Sequence, residues 1–188
     1  MDLWCESSIP DFVQRECGTE LGGIIAIGVI DRDLKGDIDV NDLSATLEDE
    51  DWWQNKIDAS PSTVWVVKPT RGSKAAGTPT EEEGFGLVPT ERTGDDKEVV
   101  VEAPFVMDNQ HFFSKVNKTR NLGFVYVTAG KDADGNYEAF YVPEASIYAD
   151  TVIDQSIKSR KRWSISAKYS TAMTPDYPFS APASVFTV

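Results

Sequence analysis

Hydrophobic and polar positions along this chain alternate with a period of two far more often than with the 3.6-residue period of a helix. Leu21 to Ile30, LGGIIAIGVI, is a near-continuous apolar run punctuated by glycine and predicts a buried strand. Thr63 to Lys68, TVWVVK, predicts a second strand, ended by Pro69, and Lys97 to Ala103, KEVVVEA, a third. Gly123 to Ala129 and Tyr137 to Val142 flank Asp132-Ala133-Asp134-Gly135-Asn136, whose Asp-Gly and Gly-Asn steps tolerate positive φ, so they predict a hairpin with a plain turn. Ile147 to Ile153 and Arg162 to Tyr169 predict a last antiparallel pair. In the second of these, Trp163, Ile165 and Ala167 alternate with Ser164, Ser166 and Lys168, as a half-buried strand requires.

A single helix breaks the series, predicted over Asp108 to Arg120. Asp108 is the expected N-cap, with Met107 before it and Phe112 placed for a hydrophobic staple. Phe112, Phe113 and Val116 form its apolar stripe. Lys115, Lys118 and Arg120 suit its C-terminal end, and Asn121 and Gly123 supply stop signals.

Residues 1–20 read as an irregular or partly helical lead-in and residues 21–170 as one domain. Residues 69–96, rich in Pro, Gly, Thr and charge, read as a long exposed hairpin or loop. Residues 171–188, with three prolines and no clear period, read as an extended C-terminal arm. The fold class expected is α+β and β-rich: an antiparallel β-sandwich or barrel with one flanking helix.

Composition narrows the function. With 188 residues, 40% of them hydrophobic, the chain can bury a core of its own. Its 18 Lys and Arg face 31 Asp and Glu, a net charge of −13, which repels nucleic acid at long range and argues against a sequence-reading DNA binder. No run of about 18 apolar residues exists, so no membrane span is expected. The first residues, MDLWCE, lack the charged and apolar regions of a secretory leader, and the two cysteines, Cys5 and Cys17, suit a reduced, intracellular setting.

Candidate chemistry is sparse. Asp31 to Asp42, DRDLKGDIDVND, puts Asp at positions 1, 3, 9 and 12 and Gly at 6 of a calcium loop, in the manner of dockerin loops that end in Asp. Lys35 stands where position 5 needs an oxygen ligand and no helix precedes the loop, so the segment reads as a solvated acidic turn. The glycines near the N-terminus do not form a dinucleotide fingerprint, and Gly72-Ser73-Lys74 lacks the spacing of a phosphate loop. His111 is the one histidine and has no marked nucleophile beside it, so no enzyme, metal or cofactor is expected. Lys158, Arg160, Lys161 and Arg162 form a basic cluster in an acidic chain, suited to an acidic face of a neighbouring protein.

The order of elements resembles the tail-tube family of tailed bacteriophages, including tube-like and ring or connector proteins of Bacteroidota phages. The resemblance rests on the start Gly22-Gly23-Ile24-Ile25-Ala26-Ile27, the long loop from Pro69 to Gly94, the strand Glu98 to Glu102, the helix Asp108 to Arg120 and the closing hairpins to Tyr169. It implies a virion structural protein, assembled in the host bacterial cytoplasm, whose copies form a ring that meets neighbouring tail or portal-connector proteins. DNA would pass through the ring's lumen without sequence recognition, and carboxylates lining that lumen would not hold the phosphate backbone. Inter-subunit contacts are expected from the loop and the arm, with Arg71, Lys74, Phe85, Lys158, Arg160, Lys161 and Arg162 as contact residues. A second expectation, from another class, is an extracellular calcium- or carbohydrate-binding module that uses Asp31 to Asp42 and exposed Trp52 and Trp53.

Overall fold

A computed structural model of the chain describes residues 23–69, 71–83, 90–104, 106–153, 161–172 and 176–186. The lead-in over 1–20 lies outside them. Among the described residues nine strands run in chain order: β1 (Ile24–Ile30), β2 (Val64–Val67), β3 (Arg71–Lys74), β4 (Thr78–Glu83), β5 (Thr90–Ala103), β6 (Leu122–Lys131), β7 (Tyr137–Val152), β8 (Arg162–Ala172) and β9 (Tyr177–Ala181). The described residues also form three α-helices: α1 (Glu50–Ile57), α2 (Gln110–Val116) and α3 (Ala183–Phe186).

All pairings are antiparallel, in the order β2-β1-β6-β7-β8-β5-β3, with β4 added to β5 and β9 to β7. The sheet folds over on itself into a β-sandwich and does not close into a barrel. β7 makes the corner. Its first part pairs with β6 and β9 in one layer, and Ser146 to Val152 pair with β8 in the other. Two separate strands, 137–142 and 147–153, are expected from the sequence. Pro143 divides them there, but it falls at a register shift between Val142 and Ala145, where a proline costs no ladder hydrogen bond.

Two cores result. The first fills the sandwich with Ile27, Val29, Val99, Val101, Phe124, Ile147, Trp163 and Ile165. The second lies on the outer face of the β1-β6-β7 layer, where Ala26, Ile30, Val125, Val127 and Tyr141 meet Leu34, Ile38, Leu47, Trp53 and Phe186. β1 is therefore covered on both faces, which is why it reads as a continuous apolar run. Gly28 lies under the Trp53 indole, with space for an added Cβ of only 3.2 Å.

Three sequence expectations are corrected by the packing. The flanking helix is shorter, Gln110–Val116, and its N-cap is Asn109, which makes no side-chain capping bond. Met107 is 76% exposed, so the staple to Phe112 is not formed. α1 was not expected. Asp49 caps it by accepting from the Asp51 amide, Glu50 and Asp51 favour its N-terminal dipole, and its one fully buried side chain is Trp53. Trp53 is thus not an exposed aromatic: its Nε1–H donates to the Leu47 carbonyl at 2.8 Å and its ring meets Phe186 edge-on at 4.9 Å. Finally, residues 177–186, expected within an extended arm, run as β9 along β7 and as α3, which seats Phe186 in the second core. Burying such a side chain contributes roughly 1.5–3 kcal/mol, enough to hold a short terminal segment down.

The described residues of the 69–96 segment are largely paired strand, in keeping with the hairpin expected there. β3 and β4 lie end to end along β5, and the strand expected at 97–103 begins at Thr90. Gly72 abuts both Val101 and Ile24, where β3 approaches the start of β1 without pairing to it.

Candidate functional site

The alternation that builds the first core also builds a polar cluster at its end. On β5 the inward row is Ala103, Val101, Val99 and then Lys97. On β8 it is Trp163, Ile165, Ala167 and then Tyr169, and on β6 it is Phe124 and then Tyr126. Each row ends on a polar side chain, and all three end at Asp176.

Asp176 is 5% exposed and stands just ahead of β9. One carboxylate oxygen accepts from Lys97 Nζ at 2.9 Å, and the other accepts from Tyr169 Oη at 2.8 Å and from Tyr126 Oη in a short hydrogen bond. Lys74 Nζ, from β3, lies 3.7 Å from the same carboxylate and 5.8 Å from the Tyr126 ring centre. Burial alone would raise the Asp176 pKa, but hydrogen bonds from Tyr126, Lys97 and Tyr169 outweigh it and hold the carboxyl below its ordinary range. Burial first, and the bond to Asp176 second, push both tyrosines well above the usual phenol range, so they remain protonated donors. The cluster opens to a cleft of about 300 Å³ with Tyr126, Phe140 and Thr128 on its walls. Phe140 stacks on Tyr126 at 5.0 Å.

A second charged centre lies on the outer face of the same layer. Glu102 of β5 is held bidentately by Arg71 at 2.7 and 2.8 Å, and Arg162 Nε lies 2.9 Å from it. The Arg71 hydrogen bonds chiefly account for a carboxyl held below its ordinary value. Arg71 and Arg162, named separately from the sequence as contact residues, thus meet on one carboxylate of their own chain. Lys74 joins the Asp176 cluster, Lys161 is exposed ahead of β8, and Phe85, Lys158 and Arg160 lie outside the described residues.

Nothing in the sequence by itself singles out Tyr126, Tyr169, Lys97 or Asp176. The available signal was the three inward rows of β5, β8 and β6, which each end on a polar residue in register with the core.

The acidic stretch from Asp31 folds as a 3-10 turn, Arg32–Asp37, with Leu34 and Ile38 in the second core. Its carboxylates cap nearby backbone: Asp39 accepts from the Asn41 amide at 2.9 Å and Asp42 from the amide and hydroxyl of Ser44. Among the described residues, no group of three or more His, Cys, Asp or Glu side chains is placed to hold a metal ion. None of their helices is long and apolar enough to cross a membrane. His111 is exposed at the start of α2.

No protein-family model matches the chain, and no curated protein or solved structure proved significantly similar to it.

Proposed function

We propose that this chain is a structural protein of a tailed-phage virion whose copies associate into a ring, as a tail tube, tail ring or connector through which DNA passes. It works by binding protein surfaces and runs no reaction. The observation that carries this reading is the β4–β5 hairpin. β5 is backed by β8 only from Gly94 onward, the last pair being Gly94 with Ala172, whereas β4 and β5 stay paired out to Glu83 and Thr90. Among the described residues no third strand pairs with this end of the ribbon, and a two-stranded ribbon is marginal in water, so a projecting one is stabilised by a neighbour. The outer edges of β2, β3 and β4, to which no strand of the described residues pairs, offer further main-chain hydrogen-bonding positions.

The charge agrees. At −13, a ring of such subunits repels the phosphate backbone and lets DNA slide without adhering. Light scattering after gel filtration, with negative-stain imaging of the same fractions, tests the reading. Annular particles with a central opening are the expected result. A strict monomer across protein concentration and salt, which also fails to join purified portal or tail proteins, overturns it.

A further inference from the structure

We propose that Asn117 holds one edge of β7 shut, so that no strand of a second copy of this chain can add to it. This edge is separate from those that carry the proposed assembly. β7 pairs with β8 on one side from Ser146 to Val152. On its other side β6 reaches only as far as Leu122, opposite Ala145, and among the described residues no strand continues that line. Residues of an antiparallel strand turn their N–H and C=O groups to alternate sides, so every second residue of this stretch faces away from β8.

Ala149 is one of these. Its amide donates to Asn117 Oδ1 at 2.7 Å, and its carbonyl accepts from Asn117 Nδ2 at 2.8 Å. A primary amide carries an acceptor and a donor side by side, as a peptide unit does, so Asn117 fills the place that one residue of a neighbouring strand would take. Thr151 is the next residue turned the same way, and its amide donates to Asp150 Oδ1 at 2.7 Å. Two successive edge amides are thus held by side chains of their own chain, and neither is left for an incoming strand.

The guard is anchored. Asn117 closes the C-terminus of α2 with its own N–H on the Phe113 carbonyl at 2.9 Å, and Phe113 and Val116 seat that helix in the first core. The residue itself is exposed, so burial does not call for an amide here; pairing with Ala149 does. Aspartate would set a second oxygen against the Ala149 carbonyl, and alanine would leave both backbone groups to another chain. Copies of this chain bring strands that suit the place, since β2, β3 and β4 each have an outer edge to which no strand of the described residues pairs. Two such edges meeting is how edge-to-edge association starts.

Hydrogen exchange and sedimentation velocity test the guard. In the wild type the Ala149 amide should be protected. Asn117→Ala and Asn117→Asp should each speed its exchange about tenfold in dilute solution, where the chain is folded and the side-chain bond is lost. At higher concentration both variants should form species that the wild type does not, in which the Ala149 amide regains protection. Thr119→Ala removes a hydroxyl bond to the Lys115 carbonyl at the same helix end without touching β7, and should do neither. Adding Thr151→Pro to Asn117→Ala takes an N–H off the same edge and should abolish the new species, a suppression that general loss of fold does not produce. An unprotected Ala149 amide in the wild type overturns the guard, as do folded Asn117 variants that associate no more than the wild type. New species that persist with Thr151→Pro belong to another edge and overturn it as well. Should Asn117→Ala fail to fold, Asn117→Asp and the wild-type exchange rate decide. A strictly monomeric wild type would sink the ring reading alone.

Discussion

Tyr169 donates a hydrogen bond to Asp176 at 2.8 Å, across the neck of an excursion in the chain. β8 lies along β7 as far as Lys168, opposite Ser146, then leaves it to follow β5 to Ala172. The chain returns at Tyr177, opposite Tyr141, as β9. β8 and β9 thus form one interrupted line beside β7, and the Tyr169–Asp176 bond clasps the interruption. Lys97, Tyr126 and Lys74 bring three more strands to the same carboxylate.

Asp176→Ala should destabilise the fold by about 3–5 kcal/mol, because it strands a buried ammonium and two buried hydroxyls without an acceptor. Asp176→Asn keeps the shape and should cost less. Urea denaturation followed by tryptophan fluorescence checks both, and a loss under about 1 kcal/mol for the alanine variant would show the clasp to be incidental.

The same group sets an acid limit. The folded Asp176 carboxyl is held below the ordinary value of 3.8, so as pH falls the unfolded chain takes up this proton first. Its contribution is complete above 3.8 and is lost as pH drops through the lower folded value. The stability difference between wild type and Asp176→Asn should therefore be constant near neutrality and shrink in strongly acid solution. A difference that grows on acidification would reverse the assignment.

Three buried tyrosines should respond differently to loss of the hydroxyl. Tyr126→Phe and Tyr169→Phe each remove a donor to Asp176 and should cost about 1–3 kcal/mol. The Tyr141 hydroxyl is buried with no hydrogen-bond partner among the described residues, and burial pushes it up to about 12. Tyr141→Phe should therefore be neutral or raise the melting temperature.

Gly72→Ala should destabilise by about 1–3 kcal/mol through overpacking. An added Cβ would come within 2.7 Å of a Val101 methyl and 3.0 Å of the Ile24 Cβ, both short and branched and unable to swing away. Pairing this change with Val101→Ala should recover part of the loss.

Phe186→Ala should cost about 3–5 kcal/mol, as large-to-small changes in a closed core do. It also removes the edge-on contact to Trp53, so a shift in tryptophan emission should accompany it.

The strands were legible where one face is buried and the other wet, as in Arg162 to Tyr169, or where both faces are covered, as in Ile24 to Ile30. α1 was not, because the run Leu47-Glu48-Asp49-Glu50-Asp51 reads as solvated charge until Asp49 is seen capping a helix whose purpose is to bury Trp53. The C-terminal segment was hidden by its prolines. Pro178 sits on the edge strand β9, where a missing N–H is tolerated, so a strand there carries none of the usual signals. The Asp176 cluster was the least legible feature. It takes one residue from each of several strands far apart in sequence, and no spacing along the chain records that convergence.

Because β7 belongs to both layers, neither layer can come away while the other stays intact. Heat or denaturant should therefore remove the sandwich in a single sharp transition, with the paired amides of β7 on either side of Pro143, from Ala139 to Tyr141 and from Ile147 to Ala149, the last to exchange with solvent. A subunit that gives way only as a whole resists being peeled open strand by strand when pulled from one end.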